Sequence, residues 1–533
     1  MSESTDAILR DRFFHEGEST WDDVARRTAD YWEPADSVAA AAIHRMIADK
    51  DALPNTPALA NAGRAKAMGS ACYVLPIHDS LTDGEGSIMR TLTDAAAVHQ
   101  SGGGTGFDFS EIRKKGALVS STGRDAPGPL NMLHLYSEAI GRVTQGGMRP
   151  GANMAIIDAS HPDALEFVSS KAQEGTIHNF NISVALSDSF MQDAVDGERH
   201  ASYLLDSFAK LAWRNGEPGF FFPDTVNRAS LHNEIIRATN PCGEVPLRPY
   251  EACVLGSINL ANHVGGGVVD YDKLTDTIWT LVRLLDNIIE HQVYPLDKIR
   301  EEQQRYRKIG VGVMGWADLL CEKGIHYGSD ESLNLAFEIS GFIQEVTYMA
   351  SAGLAKERGT YYGYSEGMPA RRNLNCQVIA PTGTISRLAG CSFGIEPHFD
   401  VDENGNMESY VVGGKGLDEN GRMIPFIDHN PYHDHPKFVP SSKVTFLDHL
   451  KMQAVWQDHV DQAVSKTVNC PRATTPERIR DSIEWSWQHG LKGFTVLRIG
   501  SRDDVVIGHT EDGVKDEPPV ALDELCASGV CET

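Results

Sequence analysis

Apolar positions along the chain follow two rhythms that alternate. WDDVARRTADYW, preceded by Thr20 as a candidate N-cap, and the stretch up to about residue 50 carry a helical rhythm. From about residue 53 the pattern is turn-rich, through LPNTPALANAG and GSACYVLPIHDS. Ile88, Leu92, Ala95 and Ala96 share a face, which predicts a helix over 87–100 that Gly102 can stop in left-handed geometry. The run 154–157 reads as a strand leading into HPDALEFVSSK, where Pro162 suits the first helical position and Asp163 complements the helix dipole. Residues 181–186 form another strand pattern, feeding a helix opened by Ser187. Leu274, Ile278, Leu281, Leu285 and Ile288 recur at helical spacing, so YDKLTDTIWTLVRLLDNIIEH is a long half-buried helix. KIGVGVMGW, CQVIAPTGT, SKTVNCP and KGFTVLRIG are further strands, each beside a helical segment. Such alternation predicts an α/β fold with a mostly parallel sheet.

Composition narrows the functional classes. At 533 residues, with 41% hydrophobic and 23% charged positions, the chain has ordinary globular usage, which excludes wholesale disorder. Lys and Arg number 48 against 74 Asp and Glu, a formal charge of −26. A surface this acidic repels phosphate backbones, so nucleic-acid binding is disfavoured, although a small nucleotide can still enter a locally neutral pocket. No apolar run is long enough to span a bilayer, and MSESTDAILRDRFF lacks a signal pattern, which points to a cytoplasmic protein. In that compartment the nine cysteines are reduced, catalytic or metal-binding rather than structural disulfides. Residues 503–533 are acidic, contain Pro518-Pro519 and show no period, and so read as a mobile tail. That tail ends in Cys526-Ala-Ser-Gly-Val-Cys531.

Several short segments could carry chemistry. In Asn240-Pro241-Cys242-Gly243-Glu244 a thiol sits between an amide and a carboxylate, in a loop that Pro and Gly force to be tight. It fits a nucleophile or radical centre with an acid/base partner, and equally a strand-end turn around a buried cysteine. Pro381-Thr382-Gly383-Thr384-Ile385-Ser386 could surround phosphate oxygens at a helix N-terminus, without the lysine of an ATP-hydrolysing loop. SGGGTG at 101–106 could approach a ligand closely or merely stop a helix. GGMRPGAN at 146–153 could be a mobile loop around Arg149 or a hairpin. Cys526 and Cys531 lack a second ligand pair for zinc, and no metal site is expected.

Taken in order, PNTPALANAG, GSACYVLPIHDSL, SGGGTGFDFSEIR, GGMRPGANMAIIDASHPDALEFVSSK, NPCGEVPL, LGSINLA, APTGTIS, GIEP, SKTVNCP and GLKGFTVLRIGSR resemble the catalytic subunit of ribonucleotide reductases. NPCGE, PTGTIS and KGFTVLRIGSR look like class II, the adenosylcobalamin-dependent enzymes. Class I subunits carry two adjacent tyrosines where this chain has Thr495-Val496, and Tyr361-Tyr362 lies before the PTGTIS loop, out of position for that relay. No RxxGY-like segment of class III occurs near the end. Two alternatives remain: a class I-like subunit needing a radical-generating partner, and a non-catalytic nucleotide-binding regulator on the same barrel.

The resemblance implies a ten-stranded α/β barrel of two parallel five-stranded halves around a finger loop carrying NPCGE. It implies three parts: an N-terminal helical segment over 1–52, the barrel over 53–502 and the redox tail over 503–533. It also implies roles. A deoxyadenosyl radical takes hydrogen from Cys242, whose thiyl abstracts the ribose 3′ hydrogen. Glu244 is base on the 3′ hydroxyl, Asn240 binds the substrate, and Cys72 with Cys253 is the reducing pair. Cys526 and Cys531 regenerate that pair by thiol–disulfide exchange, fed by a thioredoxin-like donor. Thr56, Ala71 and Gly104 contact substrate, a ribonucleoside di- or triphosphate, and Pro381, Thr382, Gly383, Thr384 and Ile385 hold its phosphates. Residues 114–128 resemble the site for deoxynucleotide or ATP effectors, and 145–153 the loop relaying effector identity. A homodimer is plausible on the same basis, and a monomer stays open because short monomeric relatives exist. Only about fifty residues precede PNTPALANAG, so no N-terminal ATP-cone is expected. Cys321, Cys376, Cys391 and Cys470 match no catalytic position and are read as core thiols.

Overall fold

The structure is a computed structural model that describes residues 3–143, 152–172, 177–231, 235–409 and 426–501. Most of the expected relay loop at 145–153 and both tail cysteines, Cys526 and Cys531, lie outside the described residues.

Ten strands make the central sheet: β1 (Ala52–Pro54), β2 (Cys72–Val74), β3 (Gly104–Asp108), β4 (Asn153–Asp158), β5 (Phe180–Ala185), β6 (Gly219–Phe221), β7 (Ala252–Asn259), β8 (Ile309–Met314), β9 (Thr467–Cys470) and β10 (Gly493–Arg498). β2 to β6 run parallel in that order. β7 and β8 are parallel, β8 continues through a Val311–Gln377 bridge to the segment 377–379, and Ile379 bridges Val464 on the way into β9, which is parallel to β10. The two halves meet antiparallel at both seams, β7 on β2 and β10 on β6. The ladder therefore returns on itself, giving the expected barrel of two five-membered parallel halves, with β1 adding to the upper part of β7.

Strand side chains alternate between two environments because the pleat has period two. On β4, Met154 and Ile156 join the barrel interior with Val74, Phe221, Leu255 and Val378, while Ala155 and Ile157 pack outward. The outer layer is helical: α1 (Trp21–Trp32), α2 (Ser37–Ala48), α3 (Ile88–Gln100), α4 (Pro129–Gly141), α5 (Arg199–Asn215), α6 (Tyr271–His291), α7 (Asp330–Arg358), α8 (Phe446–Gln457) and α9 (Pro476–Gln488). Thr20 caps α1 in a reciprocal box with Asp23. Asp270 accepts from Lys273 N to start α6, whose five heptad-spaced apolar residues are all fully buried. α1 and α2 share one apolar core with α6 and α7.

Three local expectations change. The turn-rich LPNTPALANAG contains β1, across the expected boundary at residues 52–53, and a short helix, Thr56–Asn61, capped by Asn55. The helix in HPDALEF starts at Ala164, not at Pro162: Asp163 is its N-cap, its backbone N–H donating to His161 Nδ1 at 3.0 Å and its carboxylate accepting from Lys115 N at 2.7 Å. CQVIA forms single bridges rather than a full strand. No helix among the described residues is long and apolar enough to cross a membrane.

Candidate active site

Cys72 on β2 and Cys253 on β7 are antiparallel register partners. Such partners stand roughly 4.5–5.5 Å apart at Cα, within the roughly 4.4–6.8 Å span of a disulfide. On its other side Cys72 is the register partner of Gly104 on β3, so Cys253, Cys72 and Gly104 form one row across three strands. Ala71 is part of the same ladder, its carbonyl accepting from Gly104 N at 2.9 Å. The two sulfurs differ in access: Cys72 is half-buried and Cys253 fully buried.

The NPCGE segment forms the tip of a finger inside the barrel. Ala238–Thr239 and Pro246–Leu247 pair antiparallel at its base. At the tip Asn240 Oδ1 accepts from Val245 N at 3.0 Å, and Gly243 takes a left-handed φ of 84° that a side chain would oppose. The finger lies against β3 so closely that a Cβ on Gly106 would sit 1.9 Å from Thr239 O, and one on Gly104 3.0 Å from the Pro241 ring. The SGGGTG run thus does two jobs. Gly102, at φ 91°, stops α3, while Gly104 and Gly106 give the finger room. Asn181 on β5 secures the tip by donating to Pro241 O at 2.8 Å.

The finger brings its polar groups onto the thiol row. Asn240 Nδ2 donates to Cys72 Sγ at 3.4 Å. Cys242 is exposed at the tip. Glu244 is 2% exposed, and one of its carboxylate oxygens, Oε2, is buried without a hydrogen-bond partner. Burial pushes its carboxyl up to about 7, with the Asn240 side chain pulling the other way. A dithiol able to close into a disulfide, an accessible thiol and a carboxyl poised near neutrality are therefore gathered on one finger and its flanking strands.

The PTGTIS segment opens the short helix Gly383–Ala389. Thr382 adopts φ 58°, an outlier for a β-branched residue; its hydroxyl pairs with Ser386 Oγ at 2.7 Å and accepts from Gly394 N at 2.8 Å. Pro381 and Gly383 are exposed, and Thr384 half-buried. The first N–H groups of any helix lack intrahelical acceptors, which leaves this turn able to take an anion. Thr56 is half-buried at the start of its helix. The following GIEP segment is tied to β9, with Glu396 accepting from Thr467 N at 2.8 Å and paired with Lys466.

The remaining cysteines differ from the site thiols. Cys321, Cys376 and Cys470 are buried, and burial raises each thiol to about 12; burial also raises Cys391 well above its ordinary value. Burial raises Cys253 in the same sense, so what separates these four from the site thiols is their place away from the finger and the Cys72/Cys253 row. Tyr361 is buried against Tyr306 and Leu374, and Tyr362 projects to solvent. Behind the thiol row stand charges that the sequence reading missed: Glu251, Lys308 and Lys492, all buried, and Asp461, half-buried. Their signal was available: Lys308 and Lys492 each lie one or two residues ahead of an apolar strand, where a charge costs most.

The family model described as "Ribonucleotide reductase, barrel domain" matches residues 70–200, 195–377 and 371–497. A vitamin B12-dependent ribonucleoside-diphosphate reductase of Mycobacterium tuberculosis H37Rv is 37% identical over 527 residues, which cover 91% of this chain and 74% of the relative. A protein of the same description from Thermoplasma acidophilum is 36% identical over 86% of this chain and 65% of its own length. Among solved structures, the class Id ribonucleotide reductase alpha subunit of Actinobacillus ureae superposes with a TM-score of 0.78 over 94% of this chain and 97% of that one; at 21% identity it speaks for the fold. With the match extending over most of the barrel and relatives this similar over most of the chain, the protein belongs to the ribonucleotide reductase family.

Proposed function

We infer that the protein is an adenosylcobalamin-dependent ribonucleotide reductase, reducing ribonucleoside diphosphates to their 2′-deoxy forms. The observation that carries this reading is the single row of Cys72 and Cys253 beneath a finger that presents Cys242 and Glu244. The two relatives, both vitamin B12-dependent ribonucleoside-diphosphate reductases, support both the cofactor and the diphosphate. The residues fit the cofactor: Cys242 is accessible at the finger tip, and the β10 position where class I subunits carry paired tyrosines holds an exposed Thr495 and a buried Val496. Adenosylcobalamin, when bound, supplies the radical that takes the hydrogen atom from Cys242.

The chain's own residues account for the other steps. The Cys242 thiyl removes the ribose 3′ hydrogen while Glu244 takes the 3′ hydroxyl proton. Asn240, fixed by Val245 and Cys72, orients the substrate. The 2′ hydroxyl leaves as water with one proton from the Cys72/Cys253 pair, the pair's other hydrogen and two electrons reduce C2′ as it closes into a disulfide, and Cys242 returns the 3′ hydrogen. Thr56, Ala71 and Gly104 contact the nucleotide, and the turn at 381–385 holds the diphosphate through backbone N–H groups. Cys526 and Cys531, in the tail over 503–533, exchange with the disulfide, and a thioredoxin-like protein reduces them. Residues 114–128 bind a nucleotide effector, and the protein acts in the cytoplasm as a homodimer.

Purified protein incubated with each ribonucleoside diphosphate, a small dithiol and adenosylcobalamin should form deoxyribonucleotide without a second subunit, and Cys242→Ser should abolish it. Product that appears only after a metal-containing partner protein is added overturns the cofactor assignment.

A further inference from the structure

Lys308 and Glu251 immediately precede β8 and β7, behind the thiol row. Ile309 is the register partner of Val254, so the preceding residues, Lys308 and Cys253, are neighbours where the ladder opens, each within reach of the other's charge. The Gln303 side chain carries the ladder across that step: its Oε1 accepts from Ala252 N at 3.3 Å and its Nε2 donates to Lys308 O at 3.1 Å. Side-by-side residues of a sheet project to one face, and Glu251 shares the face of Cys253 by period two. Lys308 Nζ accordingly donates to Glu251 Oε2 at 2.6 Å, and Arg248 donates to Glu251 Oε1 at 3.2 Å while pairing with Glu302. Lys308 also lines a small pocket with Asn375, Asp461, Gln462 and Lys492, and Gln462 Oε1 is buried without a partner. A polar cavity with an unsatisfied acceptor is a place for water. The Lys492 ammonium is committed to the carbonyls of Val460, Asp461 and Gln462.

We propose that reduction of the Cys72–Cys253 disulfide is directional: an incoming thiolate attacks the more accessible Cys72 sulfur, Cys253 departs as the thiolate, and Lys308 is the general acid that protonates it. The proposal rests on the reading of these two cysteines as the reducing pair. The S–S bond breaks, its electron pair goes to Cys253 Sγ, and a mixed disulfide forms between Cys72 and the incoming sulfur. Lys308 Nζ gives a proton to Cys253 Sγ and regains one from cavity water. The second thiol of the dithiol reductant then displaces Cys72, leaving both cysteines reduced and the reductant as its disulfide. Burial holds the Cys253 thiol well above its ordinary range, with Cys72, Glu244 and Asp461 adding to this and Lys308 opposing. Burial lowers Lys308, opposed by Glu251. Burial thus acts on both groups in the sense that favours transfer from the ammonium to the thiolate.

The test separates reduction of the disulfide from turnover and needs no cofactor. Protein oxidised with diamide is mixed with dithiothreitol, and released thiols are counted by acid quench and alkylation across pH. The wild type should show a bell, rising as dithiothreitol ionises and falling as Lys308 loses its proton. Lys308→Met should be slower by about tenfold or more at neutral pH and keep only the rising limb; Lys308→Arg should recover rate in part, since it restores the charge without an available proton. Equal rates and bells in wild type and Lys308→Met overturn the proposal. Should Lys308→Met fail to fold, brief exposure of oxidised wild type to glutathione, acid trapping and peptide mass spectrometry decide the direction. A mixed disulfide on Cys72 supports the proposal and one on Cys253 refutes it. Absence of any Cys72–Cys253 linkage after turnover without reductant removes the thiol-pair reading itself, and the proposal with it.

Discussion

Burial moves the Glu244 carboxyl from an ordinary 4.5 to about 7, so at neutral pH it is divided between acid and base forms. Its folded-state value lies above the unfolded one, and the sign follows from that. Below pH 4.5 both states are protonated and stability is untouched; as pH rises from there toward 7 the unfolded chain ionises first, and above 7 the full cost of about 3 kcal/mol stands. Glu244→Gln should therefore raise the melting temperature at pH 8 and leave it unchanged near pH 4, in thermal melts across that range. The same change should lower kcat by about 10²–10⁴-fold and erase the rise of kcat/KM through pH 7. The pairing of thiol and carboxyl was legible in NPCGE. The shift was not, because the strands that exclude water from Glu244 come from distant parts of the chain.

Among the elements, the finger and β3 depend on each other. A Cβ at position 106 would lie 1.9 Å from Thr239 O, a backbone atom that cannot swing aside. Gly106→Ala should displace the finger, destabilising the fold by about 1–3 kcal/mol and lowering kcat more than it raises KM, read from urea titration and steady-state kinetics. A variant with unchanged kcat would show that the finger tolerates the shift. Elements whose signal is local were readable: the apolar stripe of α6, the Thr20 cap and the Gly102 stop. Elements decided by a distant partner were not. Asp163 caps its predicted helix instead of entering it, with its carboxylate taken by Lys115 N, and CQVIA, in the middle of the second half between β8 and β9, makes only bridges to its two neighbours.

Across the whole molecule, Asp286 on α6 ties together parts that share no local sequence. It accepts from Arg307 at 2.8 Å, Arg358 at 3.1 Å, Arg372 at 3.3 Å and Asn373 at 3.1 Å, joining α6 to the end of α7 and the approach to β8. Burial would raise its carboxyl, but the three arginines outweigh that and hold it below the usual range. Asp286→Ala leaves those arginines without their shared carboxylate and should cost roughly 3–5 kcal/mol, seen as a lower denaturation midpoint in urea. By itself the sequence determined the strand–helix alternation, the family and the cysteines worth watching, since periodicity and motif spacing are properties of neighbouring residues. Only the tertiary structure decided that Cys253, Cys72 and Gly104 form one row, that the finger raises Glu244 to about 7 and that Lys308 stands beside Cys253. Register and burial arise where remote segments meet, and no local pattern encodes how two such segments will be aligned.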